Sequence, residues 1–180
     1  MLWLCIGRSC HYETDFRSPM PTARLDELDR KILEQLQADG RMSNQELSEQ
    51  IGLSPSPCLR RLRQLEGDGV IQRYVALVDP EAVGLGVTAF VRIRLDQQDD
   101  RHLRLFEAAV AEFPEVMECY LMTGEADYQL RVQVGSLGEF EDFLRHKLTK
   151  IPGVAQVTTS FALRPVVYKT ALPVRRARRD

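Results

Sequence analysis

The sequence contains no apolar run long enough to cross a membrane and no marked excess of charge of either sign. A spanning helix needs about 20 consecutive apolar residues. The apolar stretch at residues 2–6 is far shorter and lacks the basic start of a signal peptide. With a formal net charge of −2, the chain shows no global basic signature, so any contact with nucleic acid must be local. These absences predict a cytoplasmic protein that does not use a membrane.

Cysteine and histidine are scarce, with four and three residues respectively. Cys58 and Cys119 fall on predicted apolar faces, where a free thiol packs as a small hydrophobic group. Cys5 and Cys10 lie near His11, but no second pair of ligands has the spacing of a zinc site. The sequence therefore predicts a reducing compartment, no disulfide framework, no metal site and no cofactor.

The first half of the chain has the local signals of short helices joined by a tight turn. Ser43 and Glu46 have the spacing of a capping box, in which each side chain bonds the other's free backbone N–H at a helix start. Gly52 then suits the left-handed conformation that ends a helix. A covering helix is predicted over residues 25–37, with Asp26 as its N-cap. Three helices in this order predict a helix-turn-helix domain.

The third of these helices has a polar face suited to the major groove of DNA. Ser54 is its predicted N-cap, and Pro55 and Pro57 fall in the first turn, where a missing N–H costs no helix bond. The face opposite its buried residues is predicted to carry Ser56, Arg60, Arg63 and Gln64, with Arg61 at the border. These residues and Ser54 are predicted to contact DNA, with Arg61 bonding phosphate. Arginine can bond guanine, glutamine can bond adenine, and serine can bond bases or phosphate. A solvated charged face on an ordinary helical hairpin is the alternative.

Residues 70–78 connect the two halves and are rich in β-branched residues. They are predicted to form a strand that acts as a wing or as a connector. Arg73 in this stretch is predicted to contact phosphate. The alternative is that Arg73 is simply a solvated residue of the strand. Proline and glycine then mark a junction at Pro80, Gly84 and Gly86.

The second half alternates between strands and helices. Period-two patterns predict strands at residues 87–95, 116–123, 128–134 and 154–163, and apolar stripes predict one helix before Pro114 and another before Pro152. The order βαββαβ is that of a ferredoxin-like domain, whose helices cover one face of the sheet. The other face, with Phe90, Phe161 or their neighbours, is predicted to pack on a second subunit.

Five motifs, in this order, resemble the Lrp/AsnC family of leucine-responsive and asparagine-synthesis regulators. They are LDELDRKIL at 25–33, LSPSPCLRRLRQLE at 53–66, GVI at 69–71, TGEADY at 123–128 and IPGV at 151–154. The resemblance covers about residues 25–169. It implies an α+β protein with an N-terminal winged helix-turn-helix domain joined to a C-terminal ferredoxin-like βαββαβ domain. It also implies a sequence-specific transcriptional regulator that binds double-stranded DNA.

The same resemblance implies a small effector, commonly an amino acid, and pairing of subunits through their sheets into dimers that often form octamers. Carried over residue by residue, the effector contacts are Met122, Thr123, Gly124, Asp127 and Thr159. An amino acid needs a carboxylate for its ammonium group and backbone N–H groups for its own carboxylate. Turn formation alone would also account for Gly124 and Asp127.

The expected organisation has five parts. Residues 1–20 are an extension that is either disordered or not translated, with Met20 as the preferred start. The helix-turn-helix domain spans 21–75, the linker 76–86, the dimerisation and effector domain 87–165, and the basic C-terminal tail 166–180. The tail contains four arginines, Arg175, Arg176, Arg178 and Arg179, which predict a solvated tail or, as the alternative, a phosphate-binding arm.

Two rival functions remain open at this stage. An enzyme similar to the sirohaem decarboxylases would share the two-domain plan, but the histidines His11, His102 and His146 are scattered, and no nucleophile–base pair or phosphate loop is evident. The chain is therefore predicted not to be an enzyme. A DNA-organising protein of the same fold without an effector is the other rival.

Overall fold

The computed structural model describes residues 25–174, so the predicted extension at 1–20 and the arginines at 175–179 lie outside the described residues. The chain divides into two compact units. One contains residues 25–77 together with residues 166–174, and the other contains residues 78–165. No helix in this part of the chain is long and apolar enough to span a bilayer.

The first unit contains three helices, α1 (Glu27–Ala38), α2 (Asn44–Ile51) and α3 (Pro55–Gly67). Capping boxes begin α1 and α2, as predicted for the second of them, and Gly52 ends α2 with a φ of 72°. The helices enclose a small core. Its buried members are Ile32, Leu47, Ile51, Cys58 and Leu65. The predicted helix-turn-helix arrangement is thus confirmed.

The predicted strand at residues 70–78 is wrong, because residues 72–79 have no regular secondary structure. A strand needs a neighbour to satisfy its backbone groups, and no other segment among residues 25–174 pairs with this one. Val75, Leu77 and Val78 are consequently exposed. Tyr74 holds the start of the segment to α3, since its hydroxyl donates to Glu66 Oε1 at 3.1 Å.

The C-terminal segment of residues 166–174 returns to this helical unit. The backbone N–H of Leu172 donates to Gln37 Oε1 at 2.6 Å, and Gln37 Nε2 donates to the Leu172 carbonyl at 3.1 Å. Gln37 lies in the last turn of α1. Its side-chain amide therefore pairs with both the backbone N–H and the backbone carbonyl of Leu172, as a residue of a neighbouring strand would.

The second unit has the predicted order of strands and helices. It consists of β1 (Val87–Leu95), α4 (Asp100–Ala111), β2 (Val116–Leu121), β3 (Tyr128–Val134), α5 (Leu137–His146) and β4 (Val154–Phe161). The sheet order is β2-β3-β1-β4 with every pairing antiparallel. This is the ferredoxin-like arrangement, and the α+β fold class is confirmed.

The two faces of this sheet differ sharply in chemistry. Ala89, Val91, Ile93 and Leu95 of β1 are buried on the face that α4 and α5 cover. Phe161 lies on this same covered side, since its ring meets that of Phe140 edge-on at 5.1 Å. The expectation that Phe161 faces outward is therefore wrong.

The uncovered face of the sheet, here called the outer face, is mostly polar. Its large apolar residue on β1 is Phe90, which is exposed. Beside Phe90 in the register lies Arg131, which forms an ion pair with Glu118 through an NH2–Oε1 distance of 2.6 Å. Period-two alternation of apolar and polar residues correctly predicts which side chains of β1 lie on each face. In β4 the alternate positions differ less in polarity, so its two faces are not apparent from its sequence.

Candidate functional site

The exposed face of α3 gathers polar side chains that the sequence predicts to contact DNA. Cys58 and Leu65 are buried on the opposite side of the helix. The side chains that are exposed together are Ser56, Arg60, Arg63 and Gln64. An α-helix with this face free fits the major groove, where arginine and glutamine can read guanine and adenine.

The start of α3 is held by a contact that the sequence does not reveal. Ser54 occupies the N-cap position but makes no capping hydrogen bond, because Pro57 at the third helical position has no N–H to donate. Its hydroxyl is exposed and remains available to a phosphate. Asn44 of α2 holds the first turn of α3 by a different contact, since its Nδ2 donates to the Pro55 carbonyl at 3.0 Å.

Arg61 is committed to an internal ion pair. Its NH1 lies 2.7 Å from both Asp26 Oδ2 and Asp29 Oδ1, at the start of α1. Although burial alone would raise the pKa of Asp26, the backbone N–H of Asp29 and the Arg61 guanidinium hold that pKa below its ordinary value. Arg61 thus connects α3 to α1, whereas Arg73 is exposed.

These two arginines should behave differently when each is replaced by alanine. We expect Arg73→Ala to reduce the dependence of log K on log[salt] by about 0.9, the change for one lost phosphate contact, without changing Tm. Arg61→Ala should instead lower the free energy of unfolding by up to about 1 kcal/mol, the range of a partly exposed ion pair. DNA titrations over a range of salt and melting curves measure both effects. A reduced salt slope for Arg61→Ala at unchanged Tm would contradict the structural role of Arg61.

The turn between β2 and β3 is built around Gly124 and Asp127. Gly124 has a φ of 120°, a conformation that residues with a Cβ rarely adopt. Asp127 is buried, and its carboxylate accepts hydrogen bonds from Leu95 N–H at 2.7 Å and from Gln98 Nε2 at 2.6 Å. The Asp127 side chain therefore holds the turn against the end of β1.

An open cavity of about 370 Å³ lies between this turn and the outer face of the sheet. It is lined by Arg92, Arg94, Gln98, Gly124, Glu125 and Thr158, among others. An adjoining cavity of about 210 Å³ shares Arg92 and Glu125 with it and is also lined by Met122, Thr123 and Gln129. Small-molecule sites usually have volumes of about 300–1,000 Å³, so the larger cavity has room for a small metabolite.

The charged side chains around this cavity are of both signs. Within residues 25–174, no ion pair is formed by Arg92, Arg94 or Glu125. Guanidinium groups bind carboxylates well, and a carboxylate binds an ammonium group. The cavity therefore offers complementary partners to a molecule that carries both charges, as a free amino acid does.

The structure brings some of the predicted effector residues together and separates others. Met122, Thr123 and Gly124 line the two cavities. Asp127 does not line them, because its carboxylate points to Leu95 and Gln98. Thr159 is opposite Val91 in the register and so lies on the covered face, whereas Thr158, opposite Arg92, lines the cavity.

Arg92, Arg94 and Thr158 are cavity residues that the sequence prediction missed. The signal for the arginines was present, since charged residues alternate with apolar ones along β1. Which cavity they line depends on the pairing of β1 with β4, and that pairing is not visible in the sequence.

The described part of the chain contains no group of three or more metal-ligating side chains. His102 lies on α4, where its Nδ1 is 2.8 Å from Asp99 Oδ2, and His146 is exposed on α5. Both helices cover the opposite side of the sheet from the cavity.

Comparisons with known proteins match both units. The family model of the Lrp/AsnC ligand binding domain matches residues 88–172, and that of the winged helix-turn-helix DNA-binding domain matches residues 25–72. The DNA-binding transcriptional activator DecR of Escherichia coli strain K12 is 42% identical over 150 residues, which is 83% of this chain and 99% of DecR. The Bkd operon transcriptional regulator of Pseudomonas aeruginosa is 43% identical over 152 residues, or 84% and 99% of the two chains.

A solved structure adds information about ligands. The crystal structure of a transcriptional regulator of Neisseria meningitidis in complex with L-Met is similar to this chain with a TM-score of 0.79 and 43% identity. The match covers 83% of this chain and 96% of that one.

Proposed function

This chain belongs to the Lrp/AsnC family of transcriptional regulators, and we propose that it binds specific DNA sites under the control of a small effector, an amino acid. The family consists of regulators and not of enzymes. A regulator must reach the chromosome, and we therefore assign this chain to the cytoplasm. The observation that carries the proposal is the exposed polar face of α3, with Arg60, Arg63 and Gln64 on the side opposite the core.

The α3 face supplies the base contacts in this proposal, and neighbouring groups supply contacts to the backbone. Arg60 and Gln64 are one helical turn apart, so both side chains can enter the same stretch of groove. Ser54, Ser56, Arg63 and Arg73 are exposed and suited to phosphates. Arg61 contributes indirectly, since its ion pairs with Asp26 and Asp29 hold α3 against α1.

The cavity beside the β2–β3 turn is the proposed effector site. Arg92 is the partner for the effector's carboxylate, and Glu125 is the partner for its ammonium group. Met122, Thr123 and Gly124 shape the wall, and Asp127 positions the turn through its bonds to Leu95 and Gln98. The complex of the Neisseria regulator with L-Met supports an amino acid as the class of ligand.

A panel of the amino acids tests this proposal. A ligand that binds only the native state raises its stability by RT ln(1 + [L]/Kd), which is about 2.7 kcal/mol at 100 times Kd. At least one amino acid should therefore raise Tm and also change the affinity for the selected DNA site, since an effector acts through its differential affinity for two states. DNA binding that no amino acid alters would instead favour the DNA-organising protein without an effector.

We expect the protein to be a dimer that binds a two-fold symmetric DNA site. No helix of residues 78–165 covers the outer face of the sheet, which carries Phe90, Tyr120 and the ion pair of Arg131 with Glu118. Two recognition helices would then meet half-sites one helical turn of DNA apart or a multiple of it, and dimers could associate further into octamers. Light scattering at micromolar concentration measures the mass. A monomer at that concentration would contradict this expectation.

A further inference from the structure

The larger cavity beside the β2–β3 turn is lined mostly by polar side chains. They are Arg92, Arg94, Gln98, Glu125, Gln156 and Thr158. Ile93 contributes backbone to the wall, because its side chain is buried in the core on the covered face of the sheet. An apolar ligand side chain gains free energy when it leaves water for an apolar surrounding. This cavity offers little apolar surface, so it favours an effector whose side chain is polar.

The strand register places two guanidinium groups together on one wall of this cavity. Arg92 and Arg94 are two residues apart on β1, so both lie on the outer face, with their Cα atoms about 6.7 Å apart. On β4, Thr158 is opposite Arg92 and Gln156 is opposite Arg94, so neutral polar groups flank both arginines. Within residues 25–174 neither arginine forms an ion pair. Both guanidinium groups are therefore available to a ligand.

The charged side chains that line the cavity have a positive balance. Arg92 and Arg94 contribute +2 and Glu125 contributes −1, which leaves +1. The carboxylate of Asp127, in the same turn, accepts from Leu95 N–H and from Gln98 and does not line the cavity. An amino acid with a neutral side chain would use one arginine and Glu125 and leave the second arginine without a partner. A ligand with two carboxylates and one ammonium group pairs with all three side chains.

We propose that the effector is an amino acid with a second carboxylate in its side chain, of the aspartate and glutamate class. Arg92 binds the α-carboxylate, Glu125 binds the ammonium group, and Arg94 binds the carboxylate of the effector's side chain. A guanidinium group pairs with a carboxylate through two charge-assisted hydrogen bonds, so Arg94 selects a carboxylate over an amide of the same shape. This inference rests on the proposed function, because it names the class of effector for the same site.

Isosteric pairs of amino acids test the inference. L-Asp and L-Asn have nearly the same shape, as do L-Glu and L-Gln, but only the acids have an ionised side chain at neutral pH. Calorimetry on the full-length protein should show at least one acid binding about tenfold or more tighter than its amide, the difference that one charge-assisted hydrogen bond makes. That acid should also bind tighter than L-Met, the ligand in the Neisseria structure.

Arg94→Gln assigns this selectivity to one side chain. The affinity for the preferred acid should fall by about tenfold to a hundredfold, whereas the affinity for its amide should change by less than about threefold. Arg94→Lys keeps a positive charge and should keep a preference for the acid. The matched control is Arg104→Gln, which removes an exposed arginine of α4 on the helix side of the sheet and should bind both ligands as the wild type does.

The outcomes separate this inference from the proposed function. An amide that binds as tightly as its acid in both pairs, or a neutral amino acid that binds tighter than both acids, would overturn the acidic effector and leave amino-acid control in place. An unchanged ratio of acid to amide affinity in Arg94→Gln would overturn the role of Arg94. This ratio is measured on the folded protein, so it decides the point even if the variant has a lower Tm. Absence of any effect of the amino acids on Tm and on DNA affinity would overturn effector control itself.

Discussion

Replacement of Arg60 or Gln64 by alanine is expected to weaken binding to the specific DNA site by about 1–3 kcal/mol, which is roughly fivefold to 150-fold. Both side chains are exposed on α3, opposite buried Cys58 and Leu65. A hydrogen-bonded base contact discriminates between sequences, so binding to random duplex DNA should hardly change. Selection from a random duplex library supplies the specific site, and titration of both duplexes at one salt concentration measures the two affinities.

Lys31→Ala is the control for this pair, because Lys31 is an exposed cation of α1. It removes one positive charge without touching α3. Equal losses of affinity for specific and random DNA would indicate that Arg60 and Gln64 contact the DNA backbone and not the bases. Unchanged affinity on both duplexes would contradict the assignment of α3 as the recognition helix.

Arg92→Gln is expected to lower the affinity for the amino-acid effector by about tenfold to a hundredfold. The reason is the loss of a charge-assisted hydrogen bond, which contributes about 1.5–3 kcal/mol. Arg92 lines both cavities and has no ion pair among the described residues, so its removal should leave the fold intact. Calorimetry with the best amino acid from the thermal panel measures the affinity. DNA binding without effector should persist.

The neighbouring threonines of β4 provide a matched pair for the same experiment. Thr158→Val removes a hydroxyl from the cavity wall. It should weaken binding of the effector by about 0.5–1.5 kcal/mol, the range for one neutral hydrogen bond. Thr159→Val makes the same change on the covered face of the sheet, and effector affinity should remain that of the wild type. The reverse order of effects would place the effector site on the helix side.

Local signals in the sequence were sufficient to predict most elements of the fold. The capping box of Ser43 and Glu46 depends on residues three apart, and the structure contains both of its hydrogen bonds. The alternation along β1 likewise needs only neighbouring residues, and its buried and exposed positions are as predicted.

The site depends on contacts between distant residues, and these were harder to predict. Arg61 reaches Asp26 and Asp29 over more than 30 positions in sequence, so its ion pair could not be distinguished from a DNA contact. Thr158 and Thr159 are adjacent and chemically identical, and only the register with β1 separates them. A shift of one residue in a strand moves a side chain to the other face. Asp127 shows the same limit, since its partners lie on β1 and the loop that follows it.

The return of the C-terminal segment to α1 has a consequence for biosynthesis. The bonds between Gln37 and Leu172 join residues 135 positions apart, so they form only after nearly the whole chain has been made. Ribosomes add about 5–20 residues per second and N-terminal domains generally fold first, so the helical unit precedes its last segment by roughly 5–20 s. During that interval the side-chain amide of Gln37 lacks its partner Leu172 and is hydrogen-bonded to water instead.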